Sequence, residues 1–277
     1  MHYSIQFFKL CTGLLLVFFI ACKKDETDIK TINDEDRLTS KEYSSAETAF
    51  TAVWNMTLEA AQNEPSLNGF ANEVTDRNTC PAVSVTPTGT YPKTLTLDYG
   101  TGCTTPQGQL ISGKIIAVFA GPVNNPNTSI AISFTDFKYK GYTVQGAYSV
   151  SVVSAGSYAG TITGGSIINP QGQTYTYAGT LTAVQVAGMD TKGPQSQSDD
   201  VYEISTNISG TDSGGKAYTA KTISPLRKEI ACEWVVSGVV EVKVGNTAKK
   251  TLDFGTGQCD DQATLKVGAV TTPVTLP

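Results

Sequence analysis

The chain has almost no histidine. Among 277 residues the single one is His2, and it falls in a leader segment described below. A body without histidine cannot assemble a Ser-His-Asp or Cys-His nucleophile system or a histidine-ligated metal site. Charge is scarce as well: 16% of residues are charged against 40% apolar, with a formal net charge of −5. No basic cluster stands out. Neutralising phosphates needs clustered Lys and Arg, so nucleic acid is not an expected partner. No apolar run reaches the roughly 20 residues that a membrane-crossing helix needs. Leucine and glutamate are sparse, while Gly, Thr, Ser, Val and Tyr abound. That mix suits pleated strands and tight turns better than helices.

The start of the chain points to a compartment. MHYSIQFFKLCTGLLLVFFIAC carries one lysine, Lys9, then an apolar run over 10–21, then Cys22. The run is too short to span a bilayer and reads as a secretory signal. Its end, Phe19-Ile20-Ala21-Cys22, resembles a bacterial lipobox with Phe19 in place of the usual Leu. The resemblance implies cleavage before Cys22, a diacylglycerol on its thiol and usually an acylated amine. Several acyl chains on one residue give stable anchoring where a single chain is marginal. KKDETDIKTINDEDRLTSKE follows at 23–42, rich in charge and nearly devoid of apolar residues, as a solvated tether is. Lys23-Lys24-Asp25-Glu26 also resembles the lysine-plus-acid signal of surface-exposed lipoproteins in Bacteroidota. The expected organisation is a signal peptide over 1–21, a lipidated cysteine and flexible charged tether over 22–43, and one β-rich domain over 44–277.

One helix is predicted, over 44–64. Ser44 or Ser45 caps it and Glu47 closes a capping box. Ala46, Ala49, Phe50, Val53, Trp54, Thr57 and Leu58 form one face, and Pro65 ends it. From about residue 82 the period changes to two. Ile130, Ile132 and Phe134 alternate with smaller or polar residues. Tyr142, Val144, Tyr148, Val150 and Val152 do so with Gly146 in phase, and Val236, Val240, Val242 and Val244 with Gly238 in phase. Turn signals separate the runs at 125–127, 140–141, 169–172, 212–215 and 245–246. Short connections with no intervening helical pattern predict an antiparallel meander of roughly 10 to 13 strands. The fold class is therefore all-β with one N-terminal helix: a curved meander, an open barrel or a sandwich. In-strand glycines at 146, 160, 164, 165, 179 and 238 allow sharp bends and close approach of another element, here the helix on the concave face.

One phrase occurs twice. TLDYGTGC spans 96–103 and TLDFGTGQC spans 251–259, each preceded by another cysteine, Cys80 or Cys232. With Cys11 in the leader and Cys22 lipidated, four cysteines remain, which allow three pairings. Their spacing selects one. Gly245-Asn246 lies midway between Cys232 and Cys259, and Tyr91, after Thr88-Gly89-Thr90, lies midway between Cys80 and Cys103. Strand-like segments flank both turns. Each pair therefore staples the open end of a hairpin. The closed loops exceed 20 residues, for which the chain-entropy model gives about 3–4 kcal/mol per bridge. Within the repeat, Leu97 and Leu252 face the core with Tyr99 and Phe254 two positions on. Asp98 and Asp253 face away and receive turn amides or meet water.

This order of lipobox, helix, Cys-hairpin-LDYGTGC, Gly/Tyr-rich meander and Cys-Glu-Trp-hairpin-LDFGTGQC, with DDVYEIS at 199–205, resembles a family of outer-membrane lipoproteins of Bacteroidota. The resemblance covers nearly the whole chain after the leader. It implies an envelope location and an all-β body, and carries over no catalytic residue.

Other chemistry is thin. GTDSGGKA at 210–217 approaches a P-loop, but Ala217 stands where Mg²⁺ binding needs Ser or Thr, and strands flank it; it reads as a β-turn. Asp136, Glu203, Glu229, Glu233 and Glu241 are the candidate acids for a two-carboxylate mechanism. Asp199-Asp200 and Asp260-Asp261 lack EF-hand spacing. No metal and no cofactor are expected. Tyrosines at 139, 142, 148, 158, 175, 177, 202 and 218 fit an aromatic sugar-binding surface or, more simply, strand interiors. Trp234 is expected to pack beside a disulfide. The expected role is that of an exported, lipid-anchored envelope protein that binds a glycan or protein ligand or supports an assembly. A carboxylate-dependent glycan hydrolase and an inhibitor or accessory subunit of a secreted protein are the alternatives.

Overall fold

The computed structural model describes residues 31–68, 80–105, 108–190 and 196–277. Cys22, the leader and most of the tether lie outside them.

A long helix, α1 (Asp34–Asn63), opens the fold, followed by the single turn α2 (Pro65–Asn68). Fifteen strands follow: β1 (Ala82–Thr86), β2 (Lys93–Asp98), β3 (Cys103–Thr104), β4 (Leu110–Phe119), β5 (Ser129–Tyr139), β6 (Tyr142–Ser154), β7 (Ser157–Ile168), β8 (Thr174–Thr176), β9 (Ala178–Ala187), β10 (Val201–Thr211), β11 (Ala217–Glu229), β12 (Val235–Val244), β13 (Lys250–Thr256), β14 (Gln262–Val267) and β15 (Val270–Thr275). All belong to one antiparallel sheet that does not close into a barrel. Thirteen strands follow one another in chain order, while β3 pairs only with β4 and β8 only with β7. The count exceeds the expected upper bound by these two short strands.

The turns lie where Gly, Asn and Pro put them. Lys140 and Gly141 both have positive φ, 54° and 84°, which the tight β5–β6 connection requires. Residues 210–217 make a strand, a turn and a strand, with Gly215 N bonded to Asp212 O at 2.9 Å. The near-match to a P-loop is a hairpin.

The helix begins ten positions earlier than its apolar pattern suggested. Asn33 is the cap: its side chain accepts from Asp36 N at 2.8 Å, and Asp36 reaches back to Asn33 N. Asp34, Glu35 and Asp36 fill the first turn, where acids favour the helix dipole. Ser44, Ser45 and Glu47 are thus interior residues and not a cap, and the charged stretch 34–43 belongs to the folded body. It folds because tertiary partners receive its polar groups. Asp36 pairs with Lys250 on β13 at 2.9 Å, Thr39 donates to Asp212 at 2.8 Å, and Arg37 donates to Thr272 on β15 at 2.9 Å.

The sheet curls around α1. The N-terminal turns of the helix meet β13 and β15, its middle meets β8 to β10, and Phe50, Trp54 and Met56 reach Tyr148 on β6, Tyr158 on β7 and Tyr99 just past β2. Every residue from Glu42 to Glu47 is buried, which a helix resting on one flat face could not achieve. All seven predicted apolar-face residues are buried. Close approach is built in at Gly165: a Cβ there would lie 2.0 Å from Tyr177 O and 3.2 Å from the Phe50 ring.

Candidate functional site

The repeat has the same local chemistry in both copies. Leu97, Leu252, Tyr99 and Phe254 are buried. Asp98 Oδ1 accepts from Gly100 N at 2.9 Å, and Asp253 Oδ1 accepts from Gly255 N at 2.9 Å. Each aspartate accepts from a segment whose glycines have positive φ (Gly100 56°, Gly102 149°, Gly255 91°, Gly257 111°), a turn after β2 in the first copy and the end of β13 in the second. Cys80 is bonded to Cys103 and Cys232 to Cys259. Both bridges close hairpins, β1–β2 and β12–β13. The copies differ in that Asp98 also pairs with Lys114 at 2.7 Å, and this cation with the hydrogen bonds holds its carboxyl below the usual range.

Behind the second bridge sits a buried amine. Lys228 Nζ donates to the carbonyls of Cys232 and Glu233. Burial pulls its pKa down to about 8 despite Glu233 and Glu229 nearby. Glu233 in turn pairs with Lys140 across the sheet, and Trp234 packs against the core.

Of the candidate acids, Glu229 and Glu233 both lie near Lys228, but each is ion-paired to a different cation. Glu229 pairs with Arg227, Glu233 with Lys140 and Glu241 with Lys249. Glu203 is exposed on β10, and Asp136 is exposed in a β4–β5 irregularity with φ +49°. Asp260 and Asp261 receive the Gln262 backbone and side-chain N–H groups in a turn. Asp200 differs: it is buried, accepts from Gln185 Nε2 at 2.9 Å, and burial followed by the Asp199 charge raises its pKa to about 6. Among the described residues no group of three or more His, Cys, Asp or Glu converges as metal ligands do, and no helix is long and apolar enough to cross a membrane.

Seven of the eight singled-out tyrosines are buried, and Tyr142 is half-buried. They face inward around α1, as strand interiors, and do not form a sugar-binding surface. At their centre lies the polar cluster that sequence reasoning missed. Glu47, 3% exposed in mid-helix, accepts from the Tyr177 hydroxyl, from Thr51 Oγ1 at 3.1 Å and from the Tyr43 hydroxyl at 3.5 Å. Tyr43 also meets Thr206 Oγ1 at 3.1 Å, and Thr206 meets Thr222 Oγ1 at 3.0 Å. Phe50 stacks on Tyr177 with ring centroids 5.5 Å apart. Burial raises the Glu47 pKa above the usual glutamate range, against the lowering effect of the Tyr177, Thr51 and Tyr43 hydroxyls. Tyr43 and Tyr177 are pushed well above the ordinary tyrosine value by burial first and the Glu47 charge second. The spacing Tyr43-Glu47-Thr51, polar at i, i+4 and i+8, was the available signal; it was masked by reading Glu47 as a capping residue.

Both oxygens of Glu47 have internal donors, and the cluster joins α1 to β10 and the β8–β9 connection. Its chemistry is to hold a proton and a network away from water and so dock the helix. Compared with known protein families, curated proteins and solved structures, the chain matches none of them.

Proposed function

We propose that this is an exported protein, anchored to the cell envelope through lipidated Cys22, with a binding or structural role. The observation that carries the proposal is the pair of hairpin-closing disulfides. Such bonds persist in oxidising, extracytoplasmic compartments; in this reading the leader over 1–21 is the export signal and Phe19-Ile20-Ala21-Cys22 marks the anchor. Placement in the outer membrane of a Bacteroidota cell is part of the same proposal. Because α1 starts at Asp34, the tether is shorter than the sequence suggested.

A binding or structural role is preferred over hydrolysis for two reasons. The concave face is filled by α1, and Glu229, Glu233 and Glu241 sit in separate ion pairs. The test is mass spectrometry of the protein from its native envelope. An acylated N-terminal Cys22 is expected, and Cys22→Ser should leave the precursor uncut at that position. Cleavage elsewhere with no lipid would end the reading.

A further inference from the structure

The outer face of the sheet sorts its charges along the strands. At one end of β11 to β14 it carries Lys221, Lys243, Lys249 and Lys266, all exposed. Strand register aligns Lys221 with Glu241, Glu241 with Thr251 and Thr251 with Lys266, and sets Lys243 opposite Thr219. Lys221 and Lys266, three strands apart, are separated by about 14 Å. Glu241 is the acid among them. It pairs with Lys249 at 2.9 Å, which leaves Lys221, Lys243 and Lys266 with no ion pair among the described residues. No run of the sequence displays this cluster, because its members are spread over 221–266 and meet only through strand pairing. The opposite end of the same strands is acidic. Glu203, Asp260 and Asp261 lie there, with Asp199 just before β10, and Arg227 is paired to Glu229. Asp253 sits between the two ends.

A solvated face ordinarily intersperses both signs, and the chain as a whole has a net charge of −5. A basic end on an acidic body is therefore a local arrangement, and its position gives it a meaning. The chain that leads to Cys22 joins the body at this same end. Ile32 packs against Leu265, Val267 and Val274 on β14 and β15, Asn33 caps α1, and Arg37 donates to Thr272 on β15. The acids of α1 and of the β10–β11 turn are paired or turned inward. Asp36 pairs with Lys250 and Glu35 with Lys216, while Glu42 and Asp212 are buried. Asp34 and Lys41, both exposed on α1, offset each other. A tether attached at the basic end holds that end nearest its membrane and turns the acidic end away.

We infer that the outer face of β11 to β14 at this end is a membrane-docking surface, seated against anionic headgroups of the bilayer that holds Cys22. The inference rests on the anchor reading, since that reading places a bilayer beside this end. A lysine close to an anionic leaflet gains about a fivefold preference for it, and the gain fades beyond about 10 Å at roughly 0.1 M salt. Three or four lysines are too few to hold a free protein tightly. On a chain already anchored by acyl groups they need only fix its orientation, because the anchor keeps this surface at high local concentration.

The test uses residues 22–277 carrying Cys22→Ser, so that no acyl chain contributes. Sedimentation is measured with vesicles of phosphatidylcholine alone and with vesicles of equal parts phosphatidylcholine and phosphatidylglycerol, at low and at high salt. Binding to the anionic vesicles at low salt is expected, with little to the neutral ones and little at high salt. Lys243→Gln with Lys266→Gln should weaken it about tenfold or more, since each lysine contributes about fivefold. Both positions are exposed, and an unchanged melting temperature checks that the fold is kept; Lys221→Gln with Lys266→Gln replaces the pair if it is not. Lys138→Gln with Arg227→Gln removes the same charge away from this end and should leave binding nearly unchanged. No binding to the anionic vesicles, equal binding to both kinds, equal loss in the two double variants, or a preference for duplex DNA over the vesicles at the same salt would overturn the inference. An acylated Cys22 in the native protein would in that event leave the anchor reading standing. Vesicle binding as expected by a protein whose native Cys22 carries no lipid would overturn the anchor reading alone.

Discussion

Replacing Glu47 with Ala removes the acceptor shared by Tyr43, Tyr177 and Thr51. Those hydroxyls lie where little water can replace the lost partner, and Tyr43 and Tyr177 are fully buried. A buried donor left unsatisfied costs about 1–3 kcal/mol, and a neighbouring one can turn to another acceptor. Tyr43 has such an acceptor in Thr206; Tyr177 is the more exposed to the loss. With the cavity left by the missing side chain, the total is about 3–5 kcal/mol. In a body of this size each kcal/mol lowers the melting temperature by about 2–4 °C, so a drop of about 6–20 °C is expected by calorimetry. The wild-type pH dependence adds a sharper signature. The Glu47 pKa is raised in the folded state, so the native protein holds its proton more tightly than the unfolded chain does. Its contribution to stability is complete below the ordinary glutamate range and is lost as pH rises through the raised value. Glu47→Gln removes that titration at nearly constant volume, so stability should depend less on pH from weakly acid to neutral conditions. A cost below about 1 kcal/mol for the alanine variant, or an unchanged pH profile for the glutamine variant, would show that the cluster does not dock the helix.

Three further expectations follow from the same structure. Lys250 Nζ is fully buried, lies 2.9 Å from Asp36 Oδ1 and has no hydrogen bond of good geometry. Lys250→Met should therefore cost about 3–5 kcal/mol by stranding Asp36, and adding Asp36→Leu should recover much of it; chemical denaturation of the single and double variants decides. Converting both Cys232 and Cys259 to Ser opens a loop with a sequence separation of 27 and should cost about 3–4 kcal/mol; peptide mapping of the unreduced wild type should recover both native pairs and no cross-pair. Burial pushes Tyr158 up to about 12, and Tyr148, Tyr202 and Tyr218 higher still. Since these folded values exceed the unfolded one, stability should fall as pH rises past about 10, and absorbance titration should show most tyrosines ionising only together with unfolding.

Much of the architecture could be read from local pattern. Period-two alternation identified the inner face of β6 and β12, and residue pairs such as Lys140-Gly141 and Gly245-Asn246 identified hairpin turns, because both signals depend only on neighbouring residues. The disulfide pairs followed from the hairpins, since two cysteines about equally far from a hairpin connection both lie at its open end. The charged segment 34–43 was misread for the opposite reason. Local composition says that Asp36, Thr39 and Glu42 prefer water, and only distant partners overturn that preference: Lys250 at 2.9 Å, Asp212 at 2.8 Å and Ser213 N at 2.9 Å.

The candidate acids and tyrosines divide along the same line. Strand parity places Tyr148 or Tyr158 on the inner face, but whether that face meets solvent, a ligand or a helix depends on how far the sheet curls. Glu47 shares its helical stripe with the hydroxyls of Tyr43 and Thr51, but these local neighbours alone do not show that the carboxylate is buried. The sequence by itself determined the strands, the turns, the cysteine pairing and the alternation of inward and outward residues, because each is set by backbone preference and short-range geometry. Tertiary structure alone decided that the sheet wraps α1 and that Glu47 is closed in by Tyr43, Tyr177 and Thr51. The free energy of the buried Glu47 carboxyl depends also on Tyr177, 130 residues away in the chain, and no local pattern contains that partner.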